Sequence, residues 1–469
     1  MMNNLPPEII LKILDYADSE RSSLLRINSH WFQCGISVVW RDVRCERLAK
    51  IAKNRQQIYA SVIRSFYANG YKVNAFRHLA FPKLTQLQLI FSFQWRSRFE
   101  PLKIVESNLK PLLPSGLHTI SLSGYFDPDL LVYVRLQCPQ LRGLQISCPN
   151  PPSPHLTPEF VLKFLRSSPT LAEISLGIMI TGDIFDHLAE RGNLREFFCT
   201  KQIVDTYILE KLNTSSPFPV LRKLKISVME DAFPSLTDAV QSVRELDLTL
   251  VHDDDTNVQA NNVLRDVFKL AGLRELILTI HYNPMCSTVI DNEELMSLRS
   301  LSHLVMLNIS ASWGSFLRAP CFTDRDFAQL FTNLAHLQHL HLNISMPKRT
   351  TVSLVALGKC CPSLRTLRLT DALDMMVLQS EKVPLLPKLE KLTIDTFTNT
   401  ESRIRFVRKY SLACSLFDFS CLRSPHQHAF QIQRSFPKLK RLEAIMILDS
   451  MDPRLDFSAR IVDIWKSLN

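Results

Sequence analysis

Few groups of side chains in this 469-residue chain have the types and spacing that chemistry requires. The most suggestive stretch is HLQHLHL, which holds His336, His339 and His341. If HLHL forms a strand, His339 and His341 face the same side and could share a metal ion. A third ligand of good geometry is not evident. We therefore expect no metal site and interpret both histidines as surface residues that contact a ligand or solvent.

Motifs of catalysis are missing elsewhere. The three consecutive aspartates at 253–255 lack the alternating ligands, the glycine turn and the distant glutamate of a calcium loop, which favours a solvated loop. The chain contains no GxGxxG, GxSxG or HExxH motif, and its 11 glycines argue against a glycine-rich phosphate loop. We therefore expect a protein that is not an enzyme and that needs no cofactor.

Composition narrows the class of protein further. Hydrophobic residues make up 46% and charged residues 21% of the chain, which is typical of a folded protein. The net charge is +10, but the basic residues are spread out, and we do not expect nucleic-acid binding. The chain has no uninterrupted apolar run of about 18 residues, so we expect no membrane span. The 11 irregularly spaced cysteines, without a signal peptide, predict reduced thiols in the cytoplasm or the nucleus.

One repeated pattern organises most of the chain. It consists of an apolar residue, two variable residues, an apolar residue, one variable residue and a last apolar residue, as in LTQLQL and LRELIL. Copies recur about every 30 residues. The thirteen copies begin at Leu84, Leu117, Leu141, Leu171, Leu194, Leu221, Val243, Leu273, Leu304, Leu337, Leu364, Leu389 and Leu439, and a weaker copy begins at Ile63.

This spacing predicts a short strand in every copy, because side chains alternate between the two faces of a strand. Many copies follow a lead-in such as FPKL or CPSL, whose proline ends the preceding element. Segments such as PEFVLKFLRSS and DRDFAQLFTNL predict return helices. One strand and one helix cannot bury a core alone, whereas stacked copies can. The pattern therefore predicts an α/β repeat array.

The pattern resembles the leucine-rich repeat superfamily over residues 58–450, with about 13–15 repeats. The resemblance implies a curved β-α solenoid whose strands line the concave side. The residues between the leucines would then point outward from that side and contact a protein substrate. Their mixed charge suits a protein better than a phosphate backbone. The candidate substrate-binding residues are Glu196, Phe198, Lys223, Lys225, Glu245, Asp247, His339, His341 and Arg368.

The N-terminal segment does not follow the repeat. In LPPEIILKIL, Ile9 and Ile13, and also Ile10 and Leu14, are four residues apart and form a wide apolar stripe on a helix. SSLLRINSHWF and ISVVWRDV predict two further short helices. Three such helices form a marginal domain by themselves, so we expect their apolar faces to be covered by the repeat array or by a partner.

These landmarks resemble the F-box: Leu-Pro before an acidic residue and an aliphatic run, a tryptophan late in the second helix, and a final aliphatic-Trp pair. The resemblance implies docking on a Skp-type adaptor that leads to a cullin–RING ubiquitin ligase. Trp31 is expected in the core of the three helices. The alternative is that these residues only pack on the first repeat. The adaptor contacts implied are Leu5, Pro6, Ile9, Ile10, Ile13, Leu14, Val39 and Trp40.

The predicted organisation has four parts. An F-box at 1–43 and a helical connector at 44–57 precede the repeats at 58–450, and a capping helix at 451–469 buries Leu455, Ile461, Ile464 and Trp465. The function implied is that of the substrate-recognition subunit of an SCF-type ubiquitin ligase. Two alternatives remain, namely an F-box scaffold without ubiquitin transfer and a leucine-rich repeat binding protein without an adaptor.

Overall fold

The computed structural model describes residues 5–17, 21–91, 109–148, 156–212, 214–252, 263–281, 287–312, 316–350, 352–374, 384–398, 432–444, 461–463 and 465–467. It divides into two compact units. The first unit comprises Met1–Gln202 and Glu210–Leu221, and the second comprises Ile203–Leu209 and Arg222–Asn469.

The first unit begins with helices that lead into a parallel sheet. The first three helices are α1 (Pro7–Tyr16), α2 (Arg21–Leu24) and α3 (Ser29–Val39). They are followed by a strand and two helices, β1 (Asp42–Arg44), α4 (Cys45–Ala49) and α5 (Lys53–Ala60). β1 pairs in parallel with the next strand of the sheet, so the first strand lies where the sequence predicted the end of the helical segment.

The sheet of the first unit runs in chain order, each strand pairing in parallel with the previous one. Its further strands are β2 (Ser65–Asn69), β3 (Gln86–Ile90), β4 (Thr119–Ser123), β5 (Gly143–Ser147), β6 (Glu173–Gly177) and β7 (Glu196–Val204). The return segments include 3-10 helices at Gly70–Phe76 and Lys110–Leu112, and α-helices at Asp129–Gln137, Pro158–Arg166 and Gly182–Ala189.

The second unit repeats this arrangement. Its parallel sheet has the strands β8 (Lys223–Met229), β9 (Glu245–Val251), β10 (Glu275–His281), β12 (Met306–Ala311), β14 (His339–Leu342), β16 (Thr366–Asp374), β17 (Lys391–Thr398) and β18 (Arg441–Ala444). The return segments contain helices at Thr206–Leu209, Phe233–Ala239, Val263–Val267, Asn292–Ser297, Asp324–Phe331 and Val352–Cys360, with 3-10 turns at Glu230–Ala232 and Leu298–Ser300.

A second, smaller parallel sheet in the second unit was not anticipated from the sequence. It consists of β11 (Ser287–Val289), β13 (Phe316–Arg318) and β15 (Ile344–Ser345). Each of these strands follows a main-sheet strand in the chain, before the return helix. These segments are too short for the alternation of apolar and polar residues to stand out in the sequence.

The core consists of the repeated apolar positions. The first residue of all thirteen copies is buried, and so is Ile63 of the weaker copy. The middle apolar residues of neighbouring copies are aligned in register, as in Leu246, Leu276 and Leu307. Each buried leucine stabilises the array by about 1.5–3 kcal/mol relative to exposure to water. The predicted α/β architecture of leucine-rich repeats is therefore confirmed, since parallel strands alternate with return segments in each unit.

A buried arginine connects two successive repeats in the first unit. The Arg191 side chain is 8% exposed, and its guanidinium donates to three backbone carbonyls. Nη1 lies 3.2 Å from Leu165 O, and Nη2 lies 2.7 Å from Ser168 O and 3.1 Å from Leu171 O. These carbonyls run from the last turn of the helix Pro158–Arg166 into the segment that leads to β6. Arg191 therefore holds the turn between them in place.

The end of the chain contributes buried side chains to the second unit. Residues 461–463 and 465–467 are helical, and Ile461, Val462 and Trp465 are buried. The predicted positions Leu455 and Ile464 lie outside the described residues. Among the described residues, no helix has both the length and the apolar character that crossing a membrane requires.

Candidate protein-binding surfaces

α1 separates its apolar residues into an inner and an outer row. Pro6 and Pro7 suit its beginning, where a missing N–H costs nothing, and Glu8 in the first turn interacts favourably with the helix dipole. Ile10 and Leu14, one turn apart, form the inner row and are fully buried. A Cβ at Gly35 of α3 would lie 2.5 Å from Leu14 Cδ1, so glycine lets the two helices approach closely.

The outer row of α1 faces solvent. It consists of Pro6, Ile9, Ile13 and Tyr16, spaced three or four residues apart. Pro6 is exposed, Ile9 is 41% and Tyr16 91% exposed, and Ile13 is half-buried. Four such residues in one row are more than the scattered apolar residues of an ordinary surface, and rows of this kind mark interaction sites.

The remaining predicted adaptor contacts have partners within the chain. Leu5 is half-buried, and its carbonyl oxygen lies 3.0 Å from His30 Nε2. Val39 and Trp40 are buried at the end of α3. The Trp40 ring packs on Tyr59 of α5 at 4.3 Å between centroids, and the Arg47 guanidinium lies 4.6 Å from the Trp40 ring centroid. Of the eight predicted residues, Ile10, Leu14, Val39 and Trp40 are thus buried in the chain itself.

Trp31 is buried in the helical segment as predicted, but it lies near the beginning of α3 rather than late in a second helix, because the predicted segment SSLLRINSHWF is broken between α2 and α3. It is 2% exposed. Its backbone N–H donates to the Asn28 side chain at 2.9 Å, and this contact caps the beginning of α3.

In the first unit, the outward face of the sheet is mostly uncharged. Glu196 and Phe198, the two predicted contacts on β7, are half-buried there. They lie in register with Glu173 and Ser175 of β6. The middle outward positions of the earlier strands are Tyr67, Gln88, Ser121 and Gln145. This part of the face therefore offers hydrogen bonds and aromatic surface rather than charge.

In the second unit, β8 and β9 present paired charges. Lys223 Nζ lies 3.0 Å from Glu245 Oε2, and Lys225 Nζ lies 2.6 Å from Asp247 Oδ2. The register of β8 and β9 puts each lysine directly opposite its carboxylate. Both pairs are accessible to water, so each contributes at most about 1 kcal/mol to stability. These four predicted contact residues thus form two adjacent ion pairs.

His339, His341 and Arg368 lie on the adjoining strands β14 and β16. His339 Nδ1 lies 2.8 Å from Thr366 Oγ1. His341 and Arg368 are neighbours in register. Burial, followed by the positive charges of Arg368 and Lys391, lowers the pKa of His341 to about 4. The His341 imidazole is therefore neutral at pH 7.

The two histidines share a face as predicted, since both occupy outward positions of β14. The described residues include no cluster of three or more histidine, cysteine, aspartate or glutamate side chains arranged to hold a metal ion.

The eight cysteines in the described part of the chain are free thiols. Burial raises the pKa of Cys138 and of Cys361 to about 12 and that of Cys148 to about 11. A thiol with so high a pKa is a poor nucleophile at neutral pH.

The predicted contacts omit outward residues of the last two copies, although the repeat pattern identifies them. They are Lys391 and Thr393 on β17, and Arg441 and Glu443 on β18. The third and fifth positions of LEKLTI and LKRLEA are the same positions that point outward in the other copies. Extending the rule to the last two copies would have found these residues.

Comparison with known proteins gives likenesses to solved structures. No protein-family model and no curated protein sequence matches the chain. A chain in the crystal structure of the Rad7 and Elc1 complex in yeast is similar at 16% identity, with 84% of this chain and 95% of that chain covered and a TM-score of 0.38. A leucine-rich repeat protein of Leptospira interrogans is similar at 16% identity, with 76% and 83% covered and a TM-score of 0.36. At these values neither likeness extends to function.

Proposed function

We propose that the chain is the substrate-recognition subunit of an SCF-type (Skp–cullin–F-box) ubiquitin ligase. Its N-terminal helices would dock on a Skp-type adaptor, which links them to a cullin–RING ligase, and its repeats would bind a protein substrate. The chain would catalyse nothing itself and would need no cofactor. It would act by raising the effective concentration of a substrate lysine near the charged conjugating enzyme.

The outer row of α1 is the observation that carries the adaptor part of the proposal. Ile9 and Tyr16 are exposed on a helix whose inner row is already buried. Burying such a row against a partner would remove apolar surface from water at about 25 cal/mol per Å². The F-box resemblance of the surrounding sequence makes a Skp-type adaptor the partner of choice.

The outward faces of the strands, taken in each unit by itself, support the substrate part. The first unit offers half-buried Phe198, and the second offers paired charges on β8 and β9 and histidines on β14. Aromatic and charged groups on a rigid sheet can bind a protein surface without carrying out chemistry. Free, buried thiols such as Cys361 fit a reducing compartment, so the proposal places the protein in the cytoplasm or the nucleus.

Co-purification with a Skp-type adaptor tests the adaptor part. The wild-type chain should form a stable complex, and Ile9→Glu should abolish it, because a carboxylate would be buried in an apolar contact. Leu136→Glu is the matched control, since Leu136 is also an exposed apolar residue on a helix of the first unit. Equal retention by both variants, or no complex with the wild-type chain, would exclude the outer row as a docking site.

A second function deserves a test because half of the predicted adaptor contacts are buried within the chain. Ile10, Leu14, Val39 and Trp40 stabilise the helical segment itself, as Trp40 does by packing on Tyr59. This arrangement favours the alternative of a leucine-rich repeat scaffold that binds proteins without a ligase role. Ubiquitin transfer to a captured partner, in a reaction reconstituted with adaptor, cullin and RING subunits, separates the two functions. Adaptor binding without transfer would support an F-box scaffold, whereas the lack of adaptor binding would support a repeat protein that binds its partners without an adaptor.

A further inference from the structure

The outward charges of the second unit change sign along its sheet. The difference lies in the charges at the first two outward positions of the three strands at each end. On β8, β9 and β10 they hold two lysines and three carboxylates, namely Lys223, Lys225, Glu245, Asp247 and Glu275. On β16, β17 and β18 they hold three cations and one carboxylate, namely Arg368, Lys391, Arg441 and Glu443. The two ends of this face therefore attract opposite partners.

The single carboxylate of the basic end is shared. Glu443 Oε2 lies 3.2 Å from Lys391 Nζ, and Glu443 Oε1 lies 2.5 Å from Arg441 Nε. Thr393 Oγ1 donates to the same carboxylate at 3.0 Å. Arg368 is exposed and forms no ion pair with any residue that the structure describes. One negative charge thus faces three positive charges, and Arg368 offers a guanidinium to solvent.

The neighbours of Arg368 in register hold unused hydrogen-bonding capacity. Across the strands, Asn308, His341 and Arg368 form one row. Within the described residues, neither Asn308 Oδ1 nor His341 Nε2 has a hydrogen-bond partner, although both atoms are buried. An unsatisfied buried polar group costs free energy, and a partner that supplies the missing bond after a side-chain rotation recovers that cost.

The size of the basic end limits what it can bind. Neighbouring strands are about 4.8 Å apart, so β14 to β18 spans about 14 Å, the length of about four residues of extended chain. Further along the face, Glu245, Asp247 and Glu275 would repel a continuous run of phosphates. A nucleic acid requires a longer basic track, whereas a short acidic peptide fits within these strands.

We propose that Arg368, Lys391 and Arg441 bind a short segment of a protein partner that is rich in aspartate and glutamate. Arg368 would pair with a carboxylate through its two-pronged guanidinium, and Lys391 and Arg441 would exchange part of their contact with Glu443 for the carboxylates of the partner. Only the identification of this partner as a substrate rests on the proposed function.

The test measures fluorescence anisotropy of a labelled oligo-glutamate peptide of about six residues, a length that spans the basic end. The full chain is used without an adaptor. We expect binding that weakens with added salt and no binding of an oligo-glutamine peptide of the same length. The double variant Arg368→Glu/Lys391→Glu should weaken binding at least about tenfold, because two attractions become repulsions.

The matched control is Arg325→Glu, which reverses one exposed positive charge on the return helix Asp324–Phe331 of the same unit, outside the outward positions of the strands. It should leave the affinity within about twofold, because this helix contributes no residue to the basic end. The milder Arg368→Gln keeps the test valid if the double variant unfolds, and it should also weaken binding more than Arg325→Glu does. Equal effects of these two variants would overturn the proposal, and so would equal binding of oligo-glutamine.

A single-stranded oligothymidylate of similar length serves as competitor. Displacement of the peptide by this oligonucleotide as strongly as by unlabelled oligo-glutamate would replace the acidic-peptide proposal with a phosphate-binding one. Because the adaptor is absent, failure here leaves the adaptor result of Ile9→Glu untouched. Failure of adaptor binding likewise leaves peptide binding measurable. The two proposals can therefore fail separately.

Discussion

Replacing Arg191 with methionine should destabilise the first unit more than any change at an exposed arginine. Arg191 donates to the carbonyls of Leu165, Ser168 and Leu171 from a position that is 8% exposed. Methionine fills much of the space but leaves all three carbonyls without this donor. Hydrogen bonds from a charged donor contribute about 1.5–3 kcal/mol each, and removing the buried charge relieves part of its desolvation cost. The net loss should be about 2–4 kcal/mol.

Amide hydrogen exchange measures this loss locally, which suits a repeat array whose unfolding need not be a single transition. Amides of the helix Pro158–Arg166 should exchange faster in Arg191→Met by a factor that corresponds to the lost free energy. Arg191→Lys should recover only part of the loss. Lysine keeps a charged donor, but its ammonium group cannot reach three carbonyls in the same geometry. The control is Arg195→Met at an exposed position nearby. Equal protection in Arg191→Met and Arg195→Met would refute the role of Arg191.

Two other predictions concern the candidate surfaces. Gly35→Leu should separate α1 from α3, because even a Cβ there lies 2.5 Å from Leu14 Cδ1 and 2.6 Å from Leu25 Cδ2. Limited proteolysis should then cut α1 faster, and unchanged cutting would contradict the close approach. The imidazole of His341 should titrate by NMR with a pKa near 4, and Arg368→Gln should raise that pKa because one positive charge is removed. Since the pKa of His341 in the folded chain lies below its ordinary value of 6.5, the unfolded chain takes up the proton first, and stability should fall as the pH drops from 6.5 towards 4. A midpoint near 6.5 would contradict the burial of this ring.

The repeats could be predicted from the sequence because their evidence is local. Leucines at the first and fourth positions of each copy leave only one face that can be buried, and this sets the register as well as the strand. β1 was missed because it lacks this local evidence. Val43 is the only apolar residue within Asp42–Arg44. Its strand forms because β2 provides a partner in register.

The burial of the predicted adaptor contacts could be predicted only in part. Ile9 and Ile13 look the same in sequence as Ile10 and Leu14, because each pair is one helical turn apart. Which pair is buried depends on where α3 lies, and no local pattern determines that. Trp40 was assigned to an adaptor contact because its partner in the chain, Tyr59, is 19 residues away on a helix that packs back on it.

The register shared by neighbouring repeats such as those of β9, β10 and β12 has a consequence for how this chain can change in evolution. Glu245, Glu275 and Met306 occupy the same rung on β9, β10 and β12, and the segments between them are almost equal in length. Loss or duplication of a whole repeat would join strands that still match, so the outward face would become shorter or longer while its core stayed intact. Loss of one residue within a strand would turn its leucines outward. Changes in length should therefore survive as complete repeats or in the connecting loops, and the reach of the binding face can vary in steps of one strand.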